Sequence, residues 1–427
     1  MADRLKPRVA VVGGGWAGLA AAVTLVDAGH AVVLHESARQ LGGRARRVDW
    51  HGIAIDNGQH LCAGAYDHTL DLLRRLGTAA GLERRRLVFD EPGFRLALPG
   101  LPRPLHLAVG LLTARGLDAG EKYAAARFMR ALARRRFRLD RDDTAARLLA
   151  EHGQPGRLVA RLWQPICVAA LNTPLAQASA QIFCNVLRDS LAGPRAASDM
   201  LFNRGDLGRL VPDAAARHVG ERGGSIHLSS RVTGLVREAD GFRLAGPDDR
   251  AERVVLATHP AQAPALLAGL PGCDGLVGQL RDLRWQPILT LWLRFAAPLA
   301  LPYPMLALGD GSAPWAFERN DLGPGLAAIV FSAEGPHLAL APAALRDDCL
   351  ERLGRRVGPL PPLADWRVIV EKRATFACTP GLRRPDPRTP VPGLFLAGDY
   401  TAGDYPATLE GAVRSGVKCA RMIIEEE

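Results

Sequence analysis

The stretch RVAVVGGGWAGLAAAVTLVDAGHAVVLHES, residues 8–37, decides the fold. Its apolar run at 9–12 predicts a buried strand, residues 17–28 predict a helix, and residues 31–35 predict a second strand. A glycine-rich turn separates the first strand from the helix, as in dinucleotide-binding βαβ units. The sequence therefore predicts a Rossmann-like α/β domain at the start of the chain.

The turn carries the pattern GxGxxG, formed by Gly13, Gly15 and Gly18. One glycine permits the tight turn, one lets backbone N–H groups approach a pyrophosphate, and one lets the helix pack closely on the strand. Glu36 follows Gly15 by 21 residues and is placed to accept both ribose hydroxyls, while its charge would repel a 2′-phosphate. These features together favour a bound nucleotide over a glycine-rich turn without a ligand.

Two further stretches favour a flavin over a nicotinamide. The sequence RQLGGRARR, 39–47, offers Gly42 and Gly43 for a second backbone approach to phosphates, and Arg44 to neutralise them. Near the C-terminus, GLFLAGDYTAGDYPATLEGAVRSG, 393–416, predicts a buried strand, an exit at Gly398 and Asp399, and then a helix. That helix would point its positive N-terminal end at the cofactor, which suits a flavin ring that becomes anionic on reduction.

These motifs resemble the FAD-dependent amine oxidase and phytoene desaturase superfamily, and within it the hydroxysqualene dehydroxylases. The closer similarity rests on four stretches along the chain: DNGQHLCAGAY (56–66), ALNTPLAQASAQIF (170–183), WAFERN (315–320) and YPATLEGAVRSG (405–416). The resemblance implies an α/β fold with a Rossmann-like FAD-binding domain of the amine oxidase type and an inserted mixed α+β substrate domain. It implies a discontinuous FAD domain at 1–85, 203–285 and 385–427, a helical substrate and membrane-contact region at 86–202, and a β-rich substrate domain at 286–384.

The resemblance also assigns a noncovalent FAD site. Gly58, Gln59 and His60 would lie beside the flavin ring, although on composition alone they also suit an ordinary polar turn. The cofactor-binding residues would be Gly13, Gly15, Trp16, Ala17, Gly18, Glu36, Gly42, Gly43, Arg44, Gly58, Gln59, His60, Val232, Gly398, Asp399, Thr408 and Leu409. His60 and then Asp404 are the candidates for a catalytic acid.

The reaction implied by the resemblance is the loss of the allylic hydroxyl of hydroxysqualene as water, with hydride supplied by reduced flavin. Three alternatives stay open. A carotenoid-type desaturase would use the same flavin oxidatively, and a membrane-bound flavoprotein scaffold would not turn over. An amine oxidase is disfavoured, because that family usually has a tyrosine where this chain has Thr408. The sequence shows no second dinucleotide fingerprint that would identify the electron donor.

The charge of the chain is uneven. Its formal net charge is +10, and the segment 84–141 alone holds fourteen Lys or Arg against five Asp or Glu. That segment lacks the aromatic interleaving and motifs of nucleic-acid-binding proteins. Helical spacing predicts an amphipathic basic helix, which suits either a solvated face or an anionic lipid surface, through Arg127, Arg130, Arg134, Arg138 and Arg141.

We therefore expect a lipid-soluble isoprenoid substrate and peripheral attachment to the inner face of the cytoplasmic membrane, with squalene-pathway enzymes as partners. The apolar stretch LHLAVGLL, 105–112, would reach into the interface but is too short to span it. The seven cysteines are scattered without a CxxC pair, which predicts a reducing cytoplasm and no metal site.

Overall fold

The computed structural model describes residues 6–309, 311 and 314–426. Within these residues the strands are β1 (Val9–Val12), β2 (Val32–His35), β3 (Arg47–Trp50), β4 (Ile53–Asp56), β5 (Cys62–Ala63), β6 (Leu82–Arg85), β7 (Val88–Glu91), β8 (Phe94–Ala97), β9 (Met200–Asn203), β10 (Ser225–His227), β11 (Gly234–Glu238), β12 (Gly241–Ala245), β13 (Asp249–Ala251), β14 (Arg253–Leu256), β15 (Trp285–Phe295), β16 (Met305–Ala307), β17 (Trp315–Glu318), β18 (Leu326–Ser332), β19 (Leu363–Phe376) and β20 (Leu394–Leu396).

The α-helices are α1 (Trp16–Asp27), α2 (Asp67–Arg75), α3 (Leu105–Thr113), α4 (Ala119–Arg134), α5 (Ala145–Glu151), α6 (Gly156–Leu158), α7 (Gln164–Leu171), α8 (Ala180–Val186), α9 (Leu207–Leu210), α10 (Pro212–Glu221), α11 (Ala263–Leu267), α12 (Asp274–Asp282), α13 (Pro342–Val357) and α14 (Leu409–Glu425). Short 3₁₀ turns lie at Ala79–Gly81, Arg195–Ser198 and Pro336–Ala339, and π-helical turns at Val159–Trp163 and Leu187–Leu191.

A five-stranded parallel sheet forms the centre of the cofactor domain. Its strand order is β10-β2-β1-β14-β20, and Val11 pairs with Leu34 on one side and Val255 on the other. Strands β1, β2 and β20 are fully buried, and β14 is buried except at Arg253, as expected for a parallel sheet covered on both faces. The parallel α/β fold predicted from the sequence is therefore present, and each of the three predicted segments of the cofactor domain supplies at least one strand.

Helices α1 and α14 pack against each other through glycine. A Cβ atom at Gly416 would lie 2.0 Å from the carbonyl oxygen of Ala17, which no side chain tolerates. Gly18 has the same function within the βαβ unit, because its Cβ would lie 2.0 Å from the oxygen of Gly13. Gly416 therefore lets the backbone of α14 approach that of α1, and Gly18 lets α1 approach the cofactor loop directly.

The second large sheet is antiparallel and has the order β16-β17-β18-β15-β19. Helix α13 covers one face through Leu345, Cys349 and Leu353. The opposite face carries Trp292 and Phe317 and packs against the β3–β4 hairpin of the cofactor domain. This arrangement brings the sheet against the residues that follow β4, where the DNGQH stretch lies.

The region 86–202 is helical for most of its length, but its ends differ from the prediction. It opens with the β7–β8 hairpin rather than a helix. Strand β9 crosses the predicted boundary at 202 and pairs with β5 and β6, which belong to the first cofactor segment. Strand β9 is short and its partners lie more than 100 residues away, so it gives little periodic signal, which explains why the predicted boundary is misplaced.

Helix α4 is the basic helix, and its buried face packs against the protein core. A capping box starts it, in which Asp118 accepts from the Glu121 backbone and Glu121 accepts from the Asp118 backbone, both at 2.9 Å. Phe128 and Leu132 are buried, and Arg127, Arg130 and Arg134 are exposed, so the predicted amphipathic pattern is observed within α4. The helix ends at Arg134, so Arg138 and Arg141, which the prediction placed on the same helix, lie beyond it. Among the described residues, none of the helices has the length and apolarity needed to cross a bilayer.

Candidate flavin site

A cavity of about 740 Å³ opens at the carboxyl ends of the parallel strands. This is the edge of a doubly wound sheet where ligands bind. All predicted cofactor residues except Gly18 contribute to its lining: Gly13, Gly15, Trp16, Ala17, Glu36, Gly42, Gly43, Arg44, Gly58, Gln59, His60, Val232, Gly398, Asp399, Thr408 and Leu409. Gly18 lies outside and acts through helix packing.

The glycine loops form a cradle without side chains. Gly13 has a φ of 111°, and a Cβ there would lie 2.6 Å from the carbonyl oxygen of Ala257. Gly15 bridges to Gly42 from the second loop, and a Cβ at Gly43 would meet the Gly15 Cα at 3.2 Å. Backbone from two separate loops thus comes together at the N-terminus of α1, where N–H groups suit a pyrophosphate.

Glu36 is held at the end of β2 by two backbone amides. Its Oε2 accepts from the N–H of Gly14 and its Oε1 from the N–H of Ala38, each at 2.7 Å. Oε1 also accepts from the Ser37 hydroxyl at 3.2 Å, Oε2 keeps a further lone pair, and the carboxylate lines the cavity. This geometry suits an acceptor for the two ribose hydroxyls of a dinucleotide.

We expect Glu36→Ala to weaken FAD binding at least about 10- to 150-fold, because the loss of even one charge-assisted hydrogen bond costs about 1.5–3 kcal/mol. The measurement is FAD titration of apoprotein followed by flavin fluorescence. Glu36→Gln keeps one acceptor and should fall between the variant and the wild type. An unchanged dissociation constant in Glu36→Ala would place the adenosine elsewhere.

Arg44 lines the cavity and is held there by contacts that the sequence does not indicate. Its Nη2 donates to Asp399 Oδ1 at 2.6 Å and its Nη1 to the carbonyl oxygen of Ala374 at 2.7 Å. The guanidinium forms an ion pair with the carboxylate at the exit of β20, and its role in neutralising phosphates stays a prediction. The pair spans 355 residues of sequence, so no local pattern indicates it.

The N-terminus of α14 faces the cavity, as predicted. Thr408 caps it by accepting from the N–H of Gly411 at 3.0 Å, and Leu409 and Ala412 line the cavity. Glu410 is fully buried and accepts from the backbone of His68 at 3.1 Å and of Thr69 at 2.8 Å. The EGA part of the motif therefore ties the start of α14 to the start of α2.

His60 lies in the cavity wall, but the structure argues against it as the acid. Its Nδ1–H donates to the carbonyl oxygen of Gly58 at 2.8 Å. Burial and the nearby Arg44 and Arg319 charges lower the pKa of His60 to about 4. The imidazole is neutral at pH 7, and its Nε2 is an acceptor that holds no proton to deliver.

The pKa of His60 gives a stability prediction. The imidazole titrates near 6.5 in the unfolded chain. The contribution of the neutral imidazole to the free energy of unfolding is therefore complete above that pH and is lost as the pH falls toward 4. We expect the free energy of unfolding to drop in this window, and to drop less in His60→Gln. Urea unfolding at pH 7.5 and 5 measures this. An equal drop in both proteins would contradict the neutral imidazole.

The second predicted acid, Asp404, lies outside the cavity. Its side chain is 72% exposed and 3.9 Å from Arg188, in a neighbouring cleft. A carboxylate so exposed cannot meet a substrate at the flavin, and we withdraw it as a candidate. Sequence proximity to the flavin motif suggested this residue, but the 401–405 loop turns away from the cofactor.

Arg319, within the WAFERN stretch, is the main residue that the sequence did not assign. It is 3% exposed, donates from Nη1 to Gln59 Oε1 at 2.5 Å, and lies 3.6 Å from Asp56. Burial raises the pKa of Asp56 to about 6, while this carboxylate accepts from the Leu207 N–H at 2.8 Å. An arginine within a strand-like run was the available signal. The Arg319 guanidinium holds Gln59 in the cavity wall by this hydrogen bond.

The ALNTPL stretch has a structural role. Asn172 donates to Thr375 Oγ1 at 2.9 Å and to the Pro287 oxygen at 3.2 Å, and it accepts from the Ala333 N–H at 2.6 Å. It thereby joins the end of α7 to the antiparallel sheet. Thr375 and its neighbour Ala374 line the flavin cavity, so this contact sets the position of one cavity wall.

The cradle, the acceptor at Glu36 and the helix N-terminus fit FAD, and the family comparison agrees. The flavin containing amine oxidoreductase family matches residues 16–424. The chain belongs to this family. FAD is its cofactor, and the prediction of an FAD-dependent oxidoreductase is confirmed.

Relatives over the whole chain refine this placement. The chain is 30% identical to the hydroxysqualene dehydroxylase of Rhodopseudomonas palustris, covering 98% of this chain and 99% of the relative. It is 28% identical to that of Sinorhizobium fredii, covering 99% of both. Among solved structures, a putrescine oxidase variant has a TM-score of 0.71 at 20% identity and covers 99% of both chains, which shows the shared fold. The resemblance predicted from the sequence is confirmed.

Proposed function

We propose that the protein removes the hydroxyl group of hydroxysqualene reductively and yields squalene. Similarity to hydroxysqualene dehydroxylases along the whole length carries this proposal, because it includes the antiparallel sheet as well as the cofactor domain. Bound FAD, when reduced, supplies the hydride. Removing the hydroxyl as water then requires one proton in addition.

His60 has the properties of a residue that orients the substrate. With Nδ1–H committed to Gly58, its Nε2 can accept the hydrogen of the substrate hydroxyl and set the direction of the carbon–oxygen bond. Gln59, held by Arg319, forms the wall next to it. These contacts position the leaving group.

Glu371 takes the place of Asp404 in our proposal for the proton donor. It lies on β19, lines the same cavity, and accepts a 3.4 Å hydrogen bond from the Arg373 backbone. No other hydrogen bond or ion pair of its side chain is found among the described residues. A carboxyl group in this position can relay a proton from solvent to the departing hydroxyl oxygen.

A substrate comparison tests the function. The flavin-loaded protein is incubated with hydroxysqualene, phytoene and putrescine in separate assays, with a chemical reductant for the first and oxygen for the others. Squalene from hydroxysqualene alone is the expected result. Desaturated phytoene would indicate a carotenoid desaturase, aldehyde from putrescine would indicate an amine oxidase, and no turnover of any substrate would indicate a scaffold.

The protein is also proposed to bind the inner face of the cytoplasmic membrane. Helix α3 exposes an apolar row that includes Leu105 at 50% and Leu112 at 70%, and Tyr123 of α4 is 69% exposed. Arg103 and Arg115 are exposed in the same segment. Apolar groups next to cations suit an interface of anionic lipids, from which an isoprenoid substrate can enter.

We expect strong binding to anionic vesicles at low salt that weakens as the Debye length falls from ~10 Å at 0.1 M to ~3 Å at 1 M. Replacing Arg127, Arg130 and Arg134 with Gln should reduce vesicle flotation and turnover of membrane-embedded substrate. FAD content and turnover of detergent-solubilised substrate should stay nearly intact.

The control for these arginines removes equal charge elsewhere. Arg217, Arg281 and Arg284 are exposed, and none forms an ion pair with another described residue. Their replacement with Gln should leave vesicle binding unchanged. An equal loss in both triple variants would mean that net charge alone drives adsorption and that the α4 surface has no specific role.

A further inference from the structure

A second cavity of about 490 Å³ lies on the other side of the Asp399 turn from the flavin cavity. Asp399 lines both cavities. The remaining wall combines the 401–405 loop with one face of α14 and includes His68, Arg384, Tyr405, Arg414, Lys418, Arg421, Met422 and Glu425. The volume lies within the ~300–1,000 Å³ typical of small-molecule sites.

The wall of this cavity is rich in cations. Arg414, Lys418 and Arg421 follow one another at helical spacing, so that they share one face of α14. Arg384 faces them from the segment before β20. Two of the charges in the wall are already paired: Arg414 Nε lies 2.6 Å from buried Glu410, and Asp399 pairs with Arg44 on the flavin side.

The unpaired cations in the wall of this cavity outnumber the anions near them. Lys418 and Arg421 are exposed, Arg384 is half-buried, and none of the three has an ion pair among the described residues. Against these three stand Glu425 and Asp404, and Asp404 is 3.9 Å from Arg188 outside the cavity. The unpaired groups therefore leave the cavity positive.

Arg384 is the strongest indication of a ligand. Its Nη1 donates to the carbonyl oxygens of Tyr405 at 2.7 Å and Asp399 at 3.5 Å, and its guanidinium lies 5.3 Å from the ring centre of Phe376. Burial lowers the pKa of this guanidinium. A partly buried cation bonded only to neutral carbonyls is costly, and an anion in the cavity would stabilise it.

We propose that this cavity binds a phosphate-bearing small molecule, with Arg384, Lys418 and Arg421 around the phosphate. Arginine can grip a phosphate through two N–H groups, and lysine adds a mobile point charge. Tyr405 and Met422 offer apolar surface for the rest of the ligand. Because Asp399 borders both cavities, occupancy changes the electrostatic surroundings of the flavin.

The test titrates FAD-loaded protein with three probes and records heat and the flavin spectrum: inorganic pyrophosphate, NADPH under anaerobic conditions, and a short-chain phosphatidate below its micelle concentration. We expect saturable one-to-one binding of at least one probe, with a change in the flavin spectrum. The probe that binds with the highest affinity shows whether the phosphate of the ligand belongs to a soluble phosphate, a nucleotide or a lipid headgroup. Absence of saturable binding by all three would overturn the proposal.

Matched double variants locate the site. Lys418→Gln with Arg421→Gln should weaken binding at least tenfold and leave FAD content unchanged, since both side chains are exposed. Arg217→Gln with Arg281→Gln removes the same charge elsewhere and should change affinity less than twofold. Equal affinity in the two double variants would show that the cavity is not the binding site, and binding without a spectral change would contradict coupling through Asp399.

Discussion

Replacing Gly416 with valine should prevent the protein from retaining FAD and should destabilise it by at least about 3 kcal/mol, the upper end of ordinary overpacking costs. A Cβ at this position would lie 2.0 Å from the oxygen of Ala17. That oxygen belongs to the first turn of α1, so it cannot yield without moving the cofactor loop. Visible flavin absorbance of the purified protein and urea unfolding measure both effects.

Gly354 provides the control for this prediction. It lies inside α13, and a Cβ there would meet nothing within 4 Å. Gly354→Val should be neutral or slightly stabilising, because valine is a better helix former than glycine. A Gly416→Val protein with normal flavin content would contradict the packing of α14 on α1.

His60→Ala should lower turnover of hydroxysqualene about 100-fold, the effect expected when a reacting group is displaced by about 1 Å. FAD content should fall little, because the glycine loops and Glu36 still hold the cofactor. His60→Gln keeps an acceptor and should recover part of the rate. Steady-state kinetics of flavin-loaded variants with detergent-solubilised substrate give these values.

The pH dependence separates orientation from acid catalysis. Since burial lowers the pKa of His60 to about 4, His60→Gln should have a rate profile of the same shape as the wild type between pH 6 and 8. Glu371→Gln should lower the rate at every pH, because it removes the group that we propose relays the proton. If the pH–rate profile of the wild type changed slope near pH 6.5 and this change disappeared in His60→Gln, His60 would be identified as the acid.

The local motifs could be predicted from the sequence because each depends on residues close together in the chain. The turn at Gly13, the acceptor at Glu36 and the start of α14 at Thr408 all follow from spacing within one βαβ unit or one helix. The resemblance then placed Gly58 and Val232, from separate segments, in the same cavity. Local backbone requirements of this kind can be predicted from the sequence, because they restrict which residue types occur at nearby positions.

The charge pairs could not be predicted in the same way. Arg44 meets Asp399 across 355 residues, and Arg319 meets Gln59 across 260. These two arginines also help to lower the pKa of His60, so its state depends on contacts that no motif encodes. Asp404 follows the flavin motif closely but is carried out of the site by its loop.

The most direct test of the proposed function is one anaerobic turnover of pre-reduced, FAD-loaded protein with hydroxysqualene in D₂O. Flavin absorbance and the mass of the extracted lipid are recorded together. We predict one squalene for each flavin reoxidised, with one deuterium, because the transferred hydride exchanges with solvent on the reduced cofactor. A flavin that stays reduced beside unchanged hydroxysqualene would contradict the account.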